Sequence, residues 1–413
     1  MKILICSANF APEPVGIGKY SGEMAEWLAA QGHQVRVVAA PPYYPAWKLD
    51  PAYRWPPYRR ENWRGVDVWR APLWVPARPG GAKRVLHLLT FAASSLPLML
   101  RQVLWRPDVV LTVAPALVCA PAGWLSARLS GAVAWLHVQD FELDVALQMG
   151  LLKGERLASV ARRMESWLLR RFDVVSTIST RMQQHLASKR VPAARTFLFA
   201  NWVDVKAIRP LTAPSSYRAE LGLGDGVQVV LFSGTLSAKQ GLSIVPEAAR
   251  LMAARSDVLF VVCGNGAMQA DMEAAARELP NLRLLPLQPL ERLGDLLGLA
   301  AVHLLPQSVE AEDLVLPSKL TGMLASGRPV VATCRPGTEL AEVVSQCGRV
   351  VPPGDARALA GALSDLLAAP EEAKALGALA RSYAEKHLTL DAVLGSLVNR
   401  MTARVARREE VMP

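Results

Sequence analysis

Short apolar runs alternate with stretches of helical spacing along most of the chain. In the first half the apolar runs are residues 2–8, 34–39, 108–115, 132–138 and 173–179. They are apolar throughout rather than alternating apolar and polar, and each precedes a helical pattern such as residues 19–30. Runs of this kind are typical of parallel strands that helices cover on both faces. The pattern predicts an α/β domain with a doubly wound parallel sheet.

The same alternation restarts after a polar stretch with two prolines, residues 206–216. Its apolar runs are residues 227–234, 257–264, 281–287, 301–307 and 328–333. A chain of 413 residues is too long for one ordinary core. We therefore predict two Rossmann-like domains, an N-terminal one over 1–205 and a C-terminal one over 206–387. The helical pattern of about 388–413 is compatible with a return to the first domain.

Two segments interrupt the alternation. Residues 41–79 are dense in Pro, Trp, Tyr and Arg and are too long for a simple connector. Residues 85–100 carry no Asp, Glu, Lys or Arg, and basic residues flank them at Lys83, Arg84 and Arg101. These 16 residues include a proline and fall short of the roughly 20 that span a bilayer. The basic flanks favour an element lying in the membrane interface, and a buried helix of the first domain is the alternative.

The positive charge of the chain is confined to its first half. Residues 1–210 contain 27 Lys and Arg against 14 Asp and Glu, whereas residues 211–413 contain 19 against 22. All 11 tryptophans also lie in the first half, the last being Trp202. Such a half suits an anionic membrane surface or a diphosphate-bearing substrate. No recognised nucleic-acid-binding motif is present, so we predict no nucleic-acid partner. A GC-rich genome would explain the arginines but not the tryptophans.

Cysteine usage and the N-terminus point to the cytoplasm. The five cysteines are odd in number, form no C-x-x-C pair and mostly lie in apolar runs, as expected for reduced thiols. The first apolar run is too short for a signal peptide. No D-x-D sequence occurs and the histidines show no metal-ligand spacing, so we predict no metal site. We expect a cytoplasmic protein, peripheral on the inner face of the membrane.

The first candidate site is the loop of residues 7–20, which joins the first strand to the first helix. Gly16 and Gly18 would let the backbone approach a ligand closely, beside a helix N-terminus that presents free N–H groups to an anion. We predict donor binding here, with a plain turn as the alternative. Ser21 breaks a G-x-G-x-x-G fingerprint, which disfavours a nicotinamide dehydrogenase.

A second candidate lies where a first-domain strand ends, in the sequence LHVQDFELD of residues 136–144. His137 and Asp140 are placed to take a proton from an attacking hydroxyl or to position a sugar. Glu142 and Asp144 add carboxylates to the same edge. The alternative for His137 is a satisfied structural histidine.

Two further candidates follow strands of the second domain. The turn formed by Gly264, Asn265 and Gly266 ends a strand, where nucleotides bind in parallel sheets. Lys239 precedes another helix and would help to neutralise a leaving diphosphate without a metal ion. We predict that both contact the donor.

A lysine also stands at a helix start in the segment of residues 316–333. Pro317 suits the first turn of a helix, and Ser318 and Lys319 stand where its unpaired N–H groups point. A lysine there is unfavourable to the helix dipole, so its presence indicates an anion such as a pyrophosphate. We predict donor binding by all three residues.

Taken together, these segments resemble the family-4 glycosyltransferases of the GT-B fold, in which two Rossmann-like domains face each other across a cleft. The resemblance runs over nearly the whole chain and rests on residues 11–33, 40–45, 136–144, 233–242 and 316–333. It implies transfer of a sugar, with retention at the anomeric carbon, from a nucleotide diphosphate donor in the second domain. It also implies a polyprenyl-diphosphate-linked glycan as acceptor in the first domain, and exopolysaccharide assembly of the colanic acid type.

The resemblance further suggests fucose as the sugar, and hence a GDP-sugar rather than a UDP-sugar. It implies no resident cofactor. Under it, acceptor binding falls to Lys19, Tyr43, Tyr44 and Glu142.

The chain departs from the family pattern at several positions. Many members carry two glutamates eight positions apart, where this chain has Leu314 and Gly322. Asp313, or Glu312, is a candidate to replace them in donor binding. Many members also carry an arginine where Thr235 stands, and the family lysine is displaced by one position to Lys239.

Two rival hypotheses remain. A catalytically inactive homologue would act as a membrane-associated partner of other transferases, which the missing glutamates motivate. A sugar-nucleotide epimerase of the same fold would need no acceptor. All three hypotheses predict nucleotide binding in the second domain.

Overall fold

The fold was analysed in a computed structural model. It describes residues 1–77, 80–114, 117–148, 154–308 and 317–411. The chain divides into two compact units, one formed by Met1–Ala200 with Leu394–Pro413 and the other by Asn201–Val393.

The first unit is a sheet of eight strands flanked by helices. Its strands are β1 (Lys2–Ser7), β2 (Gln34–Ala39), β3 (Arg59–Trp63), β4 (Val66–Arg70), β5 (Val109–Ala114), β6 (Val133–Val138), β7 (Val174–Thr177) and β8 (Thr196–Leu198). Its helices are α1 (Gly16–Ala30), α2 (Gly81–Val103), α3 (Ala120–Ser130), α4 (Glu142–Gln148), α5 (Glu155–Leu169) and α6 (Thr180–Ser188). Short 3₁₀ turns occupy Pro51–Tyr53, Leu117–Cys119 and Ala193–Arg195. The strand order is β3-β4-β2-β1-β5-β6-β7-β8, and only the β3–β4 pair is antiparallel.

The antiparallel pair lies inside the aromatic segment that the sequence pattern left without a structure. Arg64 and Gly65 connect the two strands, and both have positive φ, of 47° and 87°. A two-residue hairpin turn with positive φ at both positions matches the twist of the strands it joins. The pair extends the sheet at one edge.

The second unit is a parallel sheet of six strands, in the order β11-β10-β9-β12-β13-β14. Its strands are β9 (Gln228–Ser233), β10 (Val258–Cys263), β11 (Leu282–Leu285), β12 (Val302–Pro306), β13 (Val330–Thr333) and β14 (Gly348–Val351). Its helices are α7 (Ser216–Glu220), α8 (Ile244–Leu251), α9 (Gln269–Glu278), α10 (Leu293–Gly298), α11 (Lys319–Ala325), α12 (Glu339–Val344), α13 (Ala356–Ala368) and α14 (Pro370–His387). Short 3₁₀ turns occupy Ala238–Gln240 and Leu290–Arg292. Apolar clusters fill both faces of this sheet.

The last helix, α15 (Leu390–Val411), begins in the second unit and belongs to the first from Leu394 onward. Its side chains at Leu394, Leu397 and Met401 are fully buried. Arg400 donates a hydrogen bond to the carbonyl of Ala194, in the 3₁₀ turn before β8.

The prediction of two doubly wound α/β domains is confirmed, since two mainly parallel sheets with helices between their strands are present. Among the described residues, no helix is long and apolar enough to cross a membrane.

Candidate donor and acceptor sites

Each sheet has one point at which the strand order reverses, and the candidate residues gather beside it. In the first unit the reversal lies between β1 and β5, and in the second between β9 and β12. The loops that leave two such strands run in opposite directions and open a crevice at their carboxyl ends, where open α/β sheets bind ligands.

In the first unit, a buried carboxylate joins the loops that follow β1 and β2. Glu13 is 4% exposed, and its Oε1 accepts hydrogen bonds from the backbone N–H groups of Tyr43 (3.1 Å) and Tyr44 (3.0 Å). Its Oε2 accepts one from the Asn9 side chain at 2.9 Å. Burial raises the pKa of Glu13, although these hydrogen bonds and Arg70 oppose that shift. The carboxylate thereby fixes the position of both tyrosines.

Arg70, at the end of β4, supports the same two loops from within the core. Its guanidinium donates to the carbonyls of Ala11 (2.6 Å) and Ala40 (2.9 Å) and pairs with Glu61 at 2.7 Å. A fully buried guanidinium with these partners has its charge compensated and its donors used. The loops of the candidate acceptor site are therefore held by two buried, charged side chains.

The two glycines of the first loop have a local structural reason. Gly16 has φ of +61° and begins α1. At Gly18 a Cβ atom would lie 2.5 Å from the Glu13 side chain, so only glycine leaves room for that carboxylate. Both glycines lie in the first unit, and their predicted role in donor binding stays a prediction.

An aromatic group stands beside the Glu13 carboxylate. Tyr43 is buried, Tyr44 is 38% exposed, and the ring of Trp47 contacts both edge-on, with centroid distances of 5.6 and 6.4 Å. His87 of α2 contacts Tyr43 at 4.8 Å and Trp47 at 5.4 Å. The four rings form one continuous wall between the loop after β2 and α2.

His137, near the end of β6, is 2% exposed, with 3.0 Å between its Nδ1 and the Ser176 hydroxyl. The Trp135 indole donates to the same hydroxyl at 2.9 Å. Burial lowers the pKa of His137 to about 3. The imidazole is therefore neutral at physiological pH and suits an orienting hydrogen bond better than proton abstraction.

Glu142 begins α4, in the same crevice as Tyr43. Burial raises its pKa to about 7, the nearby negative charge of Asp140 adds to that shift, and Arg84 and the N–H of Leu117 oppose it. Tyr43 feels the charges of Glu142 and Arg84 as well as that of Glu13. The structure thus brings Tyr43, Tyr44, Asp140 and Glu142 to one edge of the sheet.

Helix α4 is anchored by a buried ionic network. Asp144 accepts hydrogen bonds from His185 (2.9 Å) and Lys189 (3.1 Å). Lys189 also pairs with Glu165 of α5 at 2.5 Å. The residue that the sequence pattern grouped with the candidate catalytic ones therefore serves to hold α4 in place.

Lys19 lies on α1, where it pairs with Glu23 at 3.0 Å and stands 4.6 Å from the centre of the Tyr20 ring. Its side chain is 25% exposed. Its predicted role in acceptor binding rests on the resemblance alone.

In the second unit, two loops pack backbone against backbone beside the reversal point. A Cβ at Gly264 would lie 1.9 Å from the carbonyl oxygen of Gly234, and one at Gly266 would lie 2.3 Å from that of Leu236. Leu236 N donates to the Asn265 carbonyl at 2.8 Å. The loops after β9 and β10 therefore form one rigid ledge, on which the Asn265 side chain is exposed.

Lys319 places its ammonium at this ledge. Its Nζ is 4.3 Å from the centre of the Phe232 ring and would lie 3.2 Å from a Cβ at Gly234. The ammonium is buried and has no hydrogen-bond partner among the described residues. Burial lowers its pKa to about 7. A buried cation without a counter-charge is costly, and an anionic ligand would relieve that cost.

The remaining predicted donor residues are placed as follows. Pro317 is partly buried and Ser318 is exposed at the start of α11, without capping its first turn through its side chain. Lys239 lies in the turn Ala238–Gln240, and only its backbone is described. Asp313 lies outside the described residues.

Gly322 occupies the position of the second family glutamate. It is buried in α11, where a Cβ would approach Leu297 to 3.2 Å and Ile208 to 3.6 Å. Apolar side chains therefore fill the space beside this position.

Sequence reasoning missed three residues of these crevices, namely Glu13, Arg84 and Phe232. Glu13 offered one signal, because it is an acidic residue between two prolines in an otherwise apolar loop. Arg84 was read only as a flank of the apolar stretch, and Phe232 as a strand residue.

Comparison with known proteins agrees with this architecture. A family model described as "Glycosyl transferase 4-like domain" matches residues 15–202, and one described as "Glycosyl transferases group 1" matches residues 227–369. The solved structure of sucrose-phosphate synthase from Thermosynechococcus elongatus superposes with a TM-score of 0.76 at 19% identity, covering 98% of this chain and 99% of that one. HepE from Anabaena, solved with UDP-glucose, has a TM-score of 0.69 at 15% identity, covering 98% and 100%. The chain belongs to the glycosyltransferases of the GT-B fold that combine these two domains.

A curated relative narrows the class. The chain is 40% identical over 409 residues to WcaI of Escherichia coli (strain K12), whose name describes a colanic acid biosynthesis glycosyl transferase. The match covers 97% of this chain and 99% of the relative. The chain is therefore a glycosyltransferase, and the family resemblance found in its sequence is confirmed.

Proposed function

We propose that this glycosyltransferase moves a sugar from a nucleoside diphosphate donor, bound by the second unit, to a polyprenyl-diphosphate-linked glycan bound by the first. The reaction would serve exopolysaccharide assembly of the colanic acid type, at the inner face of the cytoplasmic membrane. The likeness to WcaI over nearly the full length supports this biological role. The family resemblance favours retention at the anomeric carbon.

The observation that carries the donor site is the buried ammonium of Lys319. It lies at the carboxyl end of β9, beside the ledge formed by Gly234 and Gly264. The diphosphate of a donor would supply a counter-charge to this ammonium, which has no hydrogen-bond partner among the described residues. Among the described residues, no group of His, Cys, Asp and Glu side chains is arranged to hold a metal ion. We assign charge neutralisation of the leaving diphosphate to Lys319, with Lys239 as a second cation.

The donor is proposed to be a GDP-sugar, with fucose as the sugar, on the strength of the resemblance to WcaI. HepE was solved with UDP-glucose, so the fold accommodates a uridine nucleotide in that protein. The nucleotide base of the donor is therefore tested by experiment.

In the first unit, His137 and Asp140 are proposed to position the transferred sugar, and Glu142 to hold the acceptor hydroxyl. His137 acts as a neutral hydrogen-bonding group, because its pKa is about 3. Glu142 is the carboxylate whose pKa, about 7, suits proton exchange at neutral pH. Tyr43, Tyr44 and Lys19 complete the proposed acceptor site.

The membrane contact is proposed to use one face of α2. Its large exposed apolar residues are Val85, Leu86, Leu89, Leu96 and Leu100, and the exposed Leu104 follows its last residue. The opposite face is buried at His87, Phe91, Ser95, Met99 and Gln102. Between Arg84 and Arg101 the exposed face carries no charge, and burial lowers the pKa of His87. An apolar face with basic ends matches an anionic bilayer surface.

Thermal unfolding of the purified chain with GDP, UDP and their sugar conjugates tests the donor assignment. A ligand at 100 times its dissociation constant stabilises by about 2.7 kcal/mol, a shift of several degrees. We expect GDP species to raise the unfolding temperature, and Lys319→Ala to abolish the shift. Lys374→Ala, which removes an exposed lysine of α14, is the matched control and should keep it.

The other outcomes are equally informative. A response to UDP species alone would retain the transferase and discard the guanosine donor. No response to any nucleotide would favour an inactive homologue acting as a membrane-associated partner, a role that the apolar packing at Gly322 also suits. If the donor loses its nucleotide in water without any acceptor, and its sugar is altered, the protein is an epimerase.

A further inference from the structure

The aromatic segment between β2 and α2 forms a cavity that is open to the surface, and none of the predicted site residues lines it. Its volume is about 340 Å³, at the lower end of the range for small-molecule sites. The lining residues are Trp47, Lys48, Leu49, Arg54, Leu73, Trp74, Val75 and Ala77. The lining thus combines two indoles and several aliphatic groups with two cations, and none of these residues is acidic.

The cavity adjoins the candidate acceptor site through Trp47. One part of that side chain lines the cavity, and its ring contacts Tyr43 and Tyr44, which the Glu13 carboxylate fixes. The backbone N–H of Lys48 donates to the Tyr43 carbonyl at 3.2 Å. A molecule in the cavity would therefore lie next to the loop that is proposed to hold the acceptor.

On its other side the cavity adjoins the apolar face of α2. The carbonyl of Trp74 lies 2.5 Å from Nδ1 of His87. The backbone N–H of Trp74 donates to the Thr90 hydroxyl at 3.0 Å. The Ser94 hydroxyl donates to the carbonyl of Pro72. These hydrogen bonds hold the wall formed by Leu73, Trp74 and Val75 against α2. The exposed leucines of α2 are the proposed membrane contact.

We propose that this cavity binds the diphosphate and the first isoprenoid units of the lipid-linked acceptor, which rests on the proposed function. Lys48 and Arg54 are both exposed at the lining and would contact the diphosphate, for which a guanidinium and an ammonium are suited donors. The indoles of Trp47 and Trp74 would contact the adjoining apolar chain. The volume admits only the start of such a lipid, so the rest of the chain would continue over the exposed face of α2 into the bilayer.

Calorimetric titration of the full chain with farnesyl diphosphate, in the absence of a sugar donor, tests the proposal. We expect saturable binding, weaker binding of inorganic diphosphate, and no saturable binding of farnesol. Lys48→Ala combined with Arg54→Ala should weaken farnesyl diphosphate binding by about tenfold or more, which corresponds to about 1.4 kcal/mol. Lys48→Ala combined with Arg54→Lys should bind farnesyl diphosphate more tightly than the double alanine variant, because lysine keeps the charge but not the paired donors of arginine.

Arg64→Ala is the matched control. Arg64 belongs to the same segment and is exposed, but it lies in the β3–β4 turn and pairs with Glu26 rather than lining the cavity. Its removal should leave farnesyl diphosphate binding within about twofold of the unchanged chain. Equal losses in the control and the double variant would overturn the cavity assignment in favour of a diffuse effect of charge.

Two outcomes separate this inference from the function on which it rests. If lipid diphosphate is glycosylated but the double variant leaves its KM and affinity unchanged, the cavity assignment is wrong and the transferase proposal stands. If farnesyl diphosphate binds as predicted while no nucleotide shifts the unfolding temperature, the donor proposal fails and the cavity stands. Tighter binding of a free glycan than of farnesyl diphosphate, lost in Trp74→Ala, would reassign the cavity to sugar stacking.

Discussion

In each unit, burial moves the pKa of a proposed site residue to about 7. The pKa of the Lys319 ammonium is lowered to about 7, and the pKa of the Glu142 carboxyl is raised to about 7. In both cases burial is the largest cause. Groups poised in this way inside crevices are typical of ligand-binding and catalytic sites, because a ligand of opposite charge or a hydroxyl can change their protonation state.

Replacing Lys319 by methionine should stabilise the unliganded protein at neutral pH. In the unfolded chain this lysine keeps its proton up to about pH 10.5, whereas in the fold it loses it above about 7. Between these values the unfolded state binds more protons, so stability falls as the pH drops from about 10 to 7. Lys319→Met removes that dependence, and its unfolding temperature should exceed that of the unchanged chain at pH 7 by a few degrees. Thermal unfolding from pH 7 to 10 measures the difference, which should shrink as the pH rises.

The result is contradicted if Lys319→Met is less stable than the unchanged chain at pH 7. That outcome would mean that Lys319 is already paired, and the counter-charge proposal would lose its basis. Lys374→Met is the control for the general effect of removing a lysine and should show no such pH dependence.

Glu142 should control the pH dependence of sugar transfer. Its carboxylate form is proposed to hold the acceptor hydroxyl, so activity should rise as the pH passes through about 7. Glu142→Gln should lose this limb and lower kcat by about 10²-fold, the low end for a general base. The exposed Glu155 of α5 provides the control variant Glu155→Gln. An unchanged pH profile in Glu142→Gln would assign the limb to another group.

The same carboxyl group has a stability signature that does not depend on activity. Its pKa in the fold, about 7, lies above its ordinary value of 4.5, so the folded state binds one more proton between these two values. Stability should therefore decline as the pH rises from about 4.5 to 7, and Glu142→Gln should remove that decline.

At the residue scale, the sequence identified chemistry at strand ends but not the contacts that define it. The position of Lys319 at a helix start was visible in the pattern, whereas the absence of a hydrogen-bond partner among the residues that the structure describes was not. Glu13 was missed because its three hydrogen bonds come from residues four, 30 and 31 positions away in the chain. Asp144 looked equivalent to Asp140 in sequence, yet it is bound by His185 and Lys189 from a distant helix.

At the element scale, the helix α2 has its faces arranged in an unusual way. Polar side chains such as His87, Ser95 and Gln102 are buried, while leucines of the opposite face are exposed. Hydrophobic burial alone would favour the reverse arrangement. An exposed apolar face of this length indicates an interaction surface, and the bilayer supplies the apolar environment that the exposed leucines otherwise lack.

Introducing a charge into that face should release the protein from membranes. Leu86→Glu combined with Leu89→Glu changes two residues that are 50% and 47% exposed, so the fold should tolerate both. We expect sedimentation with vesicles containing anionic lipid to fall at least about tenfold, with little change in unfolding temperature. Leu379→Glu, at an exposed leucine of α14 in the second unit, is the control. Equal vesicle binding by both variants would exclude α2 as the contact.

The elements themselves were largely readable from the sequence, because buried parallel strands appear as continuous apolar runs. The exceptions are instructive. Strands β3 and β4 carry charged residues on an edge, and their turn uses Arg64-Gly65 instead of the usual Asn-Gly or Asp-Gly. Strand β8 has only three residues, none of them buried. Such short or polar edge strands are stabilised by pairing with a neighbour, which a local pattern does not show.

At the scale of the whole molecule, the boundary between the basic and acidic parts of the sequence does not coincide with the division into two units. Residues 1–200 of the basic, tryptophan-rich half form most of the first unit, as suits a membrane-facing surface. The chain nevertheless returns to that unit through α15, after completing the second. The first unit therefore depends on residues that follow the second unit in the chain, and its stability is tied to α15.

Truncating a buried side chain of α15 should destabilise the first unit and spare donor binding by the second. Leu397 is fully buried, and a buried leucine replaced by alanine costs about 2–5 kcal/mol. Leu397→Ala should therefore lower the unfolding temperature by several degrees in calorimetry, while the exposed Asn399→Ala in the same helix should not. GDP should still bind the folded Leu397→Ala variant with unchanged affinity, because Lys319 and the ledge beside it belong to Asn201–Val393. A loss of nucleotide affinity equal to the loss of stability would show instead that the two units fold and bind as one cooperative body.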